Sequence, residues 1–352
     1  MDDFPAHPAA MTSAWLSEVL GLQVAAFRWH PVGTGQVADS IRITLDYADG
    51  ETAGPRTVVA KFAAADPTSR GTAAMFGLYV KEAHFYREAA ASLAVRTPRA
   101  HFAAVSDDGS ACCLVLEDMG PARQGDQVAG CSLDDARAAV RQAAAFHGSS
   151  WHSRDLLDAA WMAPRAAFAD ALIPLYSHAQ SVFRERYSGA LAPELMAICE
   201  GFAELAPKWF KREFERDALV HGDFRLDNML FEVRGGSEPI AILDWQTAAA
   251  GNPLTDVGYF LGCGIGGTLR RKHESELLDL YRTEMAGRGV YFQDSSFLRD
   301  YRIGALHGVA TAVFSAAHVA RTERGDANFL SMARGACSLA LDAESLAALA
   351  EG

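Results

Sequence analysis

His221-Gly222-Asp223-Phe224-Arg225-Leu226-Asp227-Asn228, followed by Asp244 in Ala241-Ile242-Leu243-Asp244-Trp245, carries the reading of this 352-residue chain. An Asp five positions ahead of an Asn on a tight loop can face an accepting hydroxyl while the Asn carbonyl reaches a metal ion. The apolar runs on either side read as strands, with a turn at Arg234-Gly235-Gly236-Ser237, so a hairpin returns the chain and Asp244 at its far end can face the same metal. Phosphoryl transfer from ATP asks for such a set. Mg²⁺ bridging the phosphates takes hard oxygen ligands, and a placed residue must orient or deprotonate the acceptor. A polar turn would account for His221-Gly222-Asp223 alone. It does not account for Asn228 at its offset together with an Asp244 set among apolar residues.

Upstream, the pattern is β-rich. Strand-like runs occupy 24–32, 39–48, 56–64, 99–105 and 111–117, a short amphipathic helix precedes them near Thr12–Leu20, and a helix is expected over 72–93. Beyond Gly120 the chain turns helical, with expected helices at 133–151, 165–186, 193–215, 253–263, 270–287, 294–320 and 327–349, interrupted only by the hairpin around Asp223. The expected fold class is α+β: a small antiparallel-sheet lobe with one long helix, residues 1–118, and a larger, mostly helical lobe, residues 119–352.

Half of the residues are apolar and 22% are charged, the balance of an ordinary globular chain, and the net charge of −12 is shared by the stretches on both sides of residue 118. No basic half offers a footprint for nucleic acid. No apolar run reaches the roughly 18 residues of a membrane span, and the acidic start lacks a signal-peptide pattern. A cytoplasmic location is expected, in keeping with six cysteines of which no pair shows metal or redox spacing. His147 and His152 lack a carboxylate or cysteine at ligand spacing and read as packed or capping residues.

HGDFRLDNMLF followed by ILDWQTAAAGNPLTDVGYFL resembles the signature of the aminoglycoside phosphotransferase/choline kinase family. KEAHFYREAA and CCLVLEDMG are similar to its ecdysteroid-kinase-like branch. The resemblance covers nearly the whole chain from about residue 15. It implies a protein-kinase-like bilobal fold and ATP- and Mg²⁺-dependent phosphorylation of a small molecule. It makes Asp223 the catalytic Asp, Asn228 and Asp244 the metal ligands, His221 a support of the loop, and Asp256 its brace from the following helix.

The same resemblance assigns the nucleotide clamp. Lys61 ends Val-Ala-Lys as in the kinase phrase Val-Ala-Ile-Lys and would reach the α/β phosphates. Glu82 in Glu-x-x-Phe-Tyr is the carboxylate expected to orient it, with Glu88 as the competing choice. The loop Val32–Ser40 departs from Gly-x-Gly-x-x-Gly, since Asp39 and Ser40 stand where a third glycine would. Gly33, Gly35 and Ser40 remain candidates for cradling phosphate. Leu116-Glu117-Asp118-Met119 fits the hinge, with Glu117 and Met119 placed to meet adenine through the backbone.

Asp256 follows Asp244 by only twelve positions, and no Ala-Pro-Glu follows. A protein kinase carries a longer activation segment there. The expected acceptor is therefore a hydroxylated small molecule, chosen by the helices between 155 and 215 and those after 294. Aromatic residues there, such as Tyr176, Trp209 and Tyr259, serve either an apolar acceptor or the helix core. The alternatives are an antibiotic-inactivating aminoglycoside-type kinase and a nucleotide-binding scaffold without catalysis. Oligomeric state and acceptor identity stay open.

Overall fold

The computed structural model describes residues 4–33, 37–48, 54–162, 169–212, 217–319 and 321–351. Gly35 lies outside the described residues. Two compact units emerge: residues 1–92, 97–121 and 243–247 in the first, and 93–96, 122–242 and 248–352 in the second.

In the first unit, α1 (Ser13–Leu20) precedes a five-stranded antiparallel sheet of β1 (Val24–Pro31), β2 (Ala38–Tyr47), β3 (Thr57–Ala63), β4 (Ala100–Val105) and β5 (Cys112–Glu117), in the order β1-β2-β3-β5-β4. Strict alternation explains its central strand. Val58, Ala60 and Phe62 are buried, while Lys61 points to the other face, paired in register with Ser40 and Leu114. The buried face packs Leu16 of α1 against Ile41, Ile43, Val58, Phe62 and Val115. The Thr12 hydroxyl caps α1 by accepting from the Trp15 N–H at 3.1 Å, and Gly21 closes it at φ +67°.

The single helix expected over 72–93 is two: α2 (Pro67–Met75) and α3 (Leu78–His84), the latter running on into a π-helical turn, Phe85–Ala89. Gly77 at φ +64° makes the break, a left-handed conformation that other residues adopt at a cost. Tyr79 then fastens α3 to the sheet. Its hydroxyl donates to the Val37 carbonyl at 2.5 Å and accepts from the Ala64 N–H at 3.1 Å.

The second unit contains α4 (Leu133–Ser149), α5 (Ala169–Tyr187), α6 (Pro193–Lys211), α7 (Leu254–Cys263), α8 (Gly267–Ala286), α9 (Asp294–Gly304), α10 (Leu306–His318), α11 (Glu323–Asp342) and α12 (Ser345–Glu351). A reciprocal capping box between Ser132 and Asp135 starts α4. Two short sheets complete the unit: β6 (Arg123–Gln124) pairs with β8 (Met229–Glu232), which pairs with β9 (Glu238–Ile242), and β7 (Ala218–Val220) pairs with β10 (Ala249–Gly251).

The expected helix 294–320 divides at Gly304-Ala305, and that at 327–349 at Ala343-Glu344, where Glu344 has φ +51°. Close helix contacts around α7 depend on glycine. A Cβ at Gly258 would meet the backbone at Gly304-Ala305, one at Gly304 the Leu254 carbonyl, and one at Gly335 the Gly262 carbonyl. Among the described residues no helix is long and apolar enough to cross a membrane. All six cysteines are free thiols, with the sulfurs of buried Cys199 and Cys337 3.4 Å apart.

Candidate active site

The first unit assembles Lys61, Glu82 and Asp244. Burial of Tyr79, Glu82 and Ala83 on one side of α3 turns the Glu82 carboxylate inward. Lys61 Nζ lies 2.7 Å from Glu82 Oε2 and 2.7 Å from Asp244 Oδ1. Glu88 instead pairs with His84 at 2.6 Å. Asp244 is delivered by its neighbour. The Trp245 ring stacks on Phe85 at 4.1 Å and 7°, and its indole N–H donates to the Thr97 hydroxyl at 3.0 Å. Asp244 itself has φ +64°, a conformation that Asp tolerates better than most residues.

The electrostatics of the triad follow from burial. Desolvation alone would discharge the Lys61 ammonium, but Asp244 and Glu82 outweigh it and hold the lysine protonated well above its ordinary range. Burial pushes the Glu82 carboxyl up to about 7, against the attraction of Lys61.

Ser40, the register partner of Lys61, is half-buried on β2, and Gly33 adopts φ +76° with open space where a Cβ would stand. Glu117 ends β5, where its carboxylate accepts the Arg99 N–H at 3.1 Å, and Met119 is buried. Asp118, between them, pairs with Arg42 at 2.7 Å and accepts the Gly120 N–H at 3.0 Å.

The second unit builds the loop between β7 and β8. Buried Phe224 and Leu226 point one way and anchor it; Phe224 meets the rings of Phe146, His221 and Phe260. The side chains of Asp223, Arg225 and Asn228 come together. Asp223 Oδ1 accepts from the Tyr259 hydroxyl at 2.9 Å and from Arg225 Nε at 3.0 Å, and Oδ2 accepts from Arg225 Nε at 3.0 Å and Asn228 Nδ2 at 2.8 Å. Burial opposes ionisation of Asp223, but the Arg225 guanidinium prevails and holds its carboxyl below the usual range.

The loop backbone is tied down on both sides. Asp256, in the first turn of α7, accepts the His221 N–H at 2.6 Å and the Gly222 N–H at 2.9 Å. His307 Nε2 donates to the Gly222 carbonyl at 2.7 Å, with Gly222 itself at φ +77°. The buried His221 ring accepts the Asp223 N–H through Nδ1 at 3.2 Å, the contact of a loop support. A strap from residues 124–127 adds more: the Gln127 side chain accepts the Leu226 N–H at 3.2 Å, and its backbone N–H donates to Asp227 at 3.0 Å.

His147, read from sequence as a packed residue, completes the brace. The Tyr281 hydroxyl donates to its Nδ1 at 3.0 Å, which leaves Nε2–H to donate to Asp256 Oδ2 at 3.2 Å. Burial holds its pKa below the ordinary value, with Asp256 pulling the other way and His221 adding to the depression. The unfolded chain therefore takes up a proton near pH 6.5 that the folded chain refuses, so stability is full above that pH and falls as pH drops through it. A His147→Gln variant should lose about 1–3 kcal/mol at neutral pH and show a shallower fall in melting temperature between about pH 7.5 and 5.5. Calorimetry at both pH values checks this; parallel slopes would place the acid sensitivity elsewhere.

Hard oxygen donors are available. Both amide contacts of Asn228 Nδ2 go to Asp223, to its carboxylate and to its carbonyl at 2.9 Å, which leaves Oδ1 unshared among the described residues. Among the described residues Asp244 Oδ2 accepts only a long 3.3 Å contact from Gln246. These atoms fit Mg²⁺ rather than a soft metal.

Fold and loop geometry define the class: this is a kinase-like fold. The chain belongs to the ecdysteroid kinase-like family, which matches residues 34–288. A Ralstonia eutropha protein described as an aminoglycoside phosphotransferase superposes with a TM-score of 0.56 at 16% identity, over 94% of this chain and 97% of that one. The GDP complex of aminoglycoside 2'-phosphotransferase-IIIa gives 0.52 at 17% identity, over 89% and 93%. Acyl-CoA dehydrogenase family member 11 of Gallus gallus is 34% identical over 83 residues, 22% of this chain and 10% of that protein. Family member 10 of Mus musculus is 49% identical over 45 residues, 13% and 4%. The matched stretches thus span a tenth or less of these curated relatives.

Proposed function

We propose that this protein is an ATP- and Mg²⁺-dependent phosphotransferase acting on a hydroxyl group of a small molecule. The observation that carries this reading is Asp223, an ionised carboxylate on a backbone-braced loop beside an Asn228 whose carbonyl oxygen is unshared among the described residues. Asp223 takes the proton of the accepting hydroxyl as its oxygen bonds to the γ-phosphorus and the bond to the ADP oxygen breaks. Asp256, His221 and His147 keep the loop in place for that transfer. Lys61, oriented by Glu82, holds the α/β phosphates. Gly33, Gly35 and Ser40 cradle the phosphates, while Glu117 and Met119 offer backbone to adenine. Asn228 and Asp244 would hold the Mg²⁺, which when bound neutralises charge on the phosphates.

Among acceptors we place a hydroxyacyl compound first, since the curated relatives are named as acyl-CoA dehydrogenase family members. An aminoglycoside is the second reading, supported by the fold neighbours' descriptions. We also propose a cytoplasmic setting, with residues 1–118 clamping the nucleotide and 119–352 carrying catalysis and acceptor binding. The test is ADP release from Mg·ATP across hydroxyacyl compounds, aminoglycosides, choline, sugars and sterols. Acceptor-dependent release supports the reading. A protein that neither turns over nor gains thermal stability from Mg·ATP would leave the inactive scaffold ahead.

A further inference from the structure

We propose that Arg225 is a positioning residue that latches Asp223 against water, so that only a bound acceptor gains access to the base. The inference rests on the reading of Asp223 as proton acceptor. A carboxylate has room for about four hydrogen bonds, two on each oxygen. Asp223 already accepts four: Tyr259 and Arg225 on Oδ1, Asn228 and Arg225 on Oδ2. No lone pair is left for an incoming hydroxyl, although the side chain is still 18% exposed. One donor has to withdraw before any proton can be taken.

Arg225 is the donor built to withdraw. Its single Nε hydrogen is divided between both Asp223 oxygens at 3.0 Å, the weakest way to make two contacts. Its Nη1 sits 2.6 Å from Asp227 Oδ2, so the guanidinium keeps a carboxylate partner when it lets go of one Asp223 oxygen. Asp227 is itself anchored, accepting the Gln127 N–H at 3.0 Å on its other oxygen. The planar fork spans two carboxylates at once, which a lysine point charge cannot do.

The functional consequence lies in the competition between acceptors. Water, attacking the γ-phosphorus, would form a P–O bond, break the bond to the ADP oxygen, give its proton to Asp223 and release phosphate. The intended acceptor performs the same exchange with its own hydroxyl. A lone water brings too little binding energy to displace a charge-assisted hydrogen bond. An acceptor held by the rest of its surface brings that energy with it. Arg225 thereby favours transfer over wasteful hydrolysis.

Water itself is the probe, so the test needs no identified acceptor. Phosphate release from Mg·ATP is measured without added acceptor for wild type, Arg225→Gln, Asp227→Asn and the double variant Asp223→Asn/Arg225→Gln. Arg225→Gln should raise hydrolysis by about tenfold or more, Asp227→Asn, which takes away the guanidinium's other carboxylate and leaves it to Asp223, should lower it, and the double variant should return it to background. Asp227→Asn leaves Asp223 untouched and decides the matter if Arg225→Gln does not fold. Hydrolysis at or below wild type in a folded Arg225→Gln, or above wild type in a folded Asp227→Asn, in variants that still gain thermal stability from Mg·ATP overturns the latch. If the double variant hydrolyses as fast as Arg225→Gln, Asp223 is not the base, and the latch falls with that reading.

Discussion

The Asp223→Ala variant is expected to lose about 10³-fold in acceptor-dependent phosphoryl transfer, in the range that a positioned general base supplies. The fold should survive the change. Arg225 keeps Asp227 as a partner, Asn228 keeps the Asp223 carbonyl, and the loop backbone stays bonded to Asp256. Thermal stabilisation by Mg·ATP should therefore persist, which separates a lost proton acceptor from a lost nucleotide site. Single-turnover transfer with saturating Mg·ATP is the measurement; near-wild-type turnover would remove Asp223 from its proposed role.

Asp244→Asn should strike the other half of the machinery. Asparagine tolerates the left-handed backbone that residue 244 adopts, so this change removes charge without adding the strain an alanine would bring. Lys61 keeps Glu82 at 2.7 Å and remains in place. A carboxylate ligand exchanged for an amide should weaken Mg·ATP binding by about 100-fold, read by calorimetric titration, while nucleotide binding without Mg²⁺ changes far less. Equal weakening with and without the metal would recast Asp244 as a partner of Lys61 alone.

How far the sequence could be read depended on distance along the chain. His221 to Asn228 and the later Asp244 form a local pattern, and the Val-Ala-Lys phrase singled out Lys61 without any structure. Glu82 was separable from Glu88 because the Glu-x-x-Phe-Tyr phrase is local too. The partners that shape these residues leave no such trace. His147 meets Asp256 across 109 positions, and Gln127 reaches Leu226 across 99. In sequence His147 therefore resembles any other apolar-face histidine, and Gln127 any loop glutamine. Tyr259 read as either acceptor contact or core, and it is buried, but its hydroxyl serves Asp223. The helix breaks at Gly77 and Glu344 were masked by apolar periodicity that continues across them, since periodicity reports burial and is silent on a single left-handed residue.

The short run Leu243–Thr247 clusters with the first unit although both of its flanks cluster with the second. It supplies the Phe85 stacking partner and one carboxylate of the Lys61 pair, joined to Thr97 across 148 positions and to Lys61 across 183. On the ribosome, the first unit must wait unfinished after residue 121 has emerged, for on the order of ten seconds at ordinary elongation rates, until Trp245 is made. During that interval Phe85 has no indole to cover it and Lys61 has only Glu82. A gene cut after residue 121 would yield the five-stranded sheet without Asp244 and Trp245, so the assembled Lys61 triad cannot be inherited by the N-terminal segment alone.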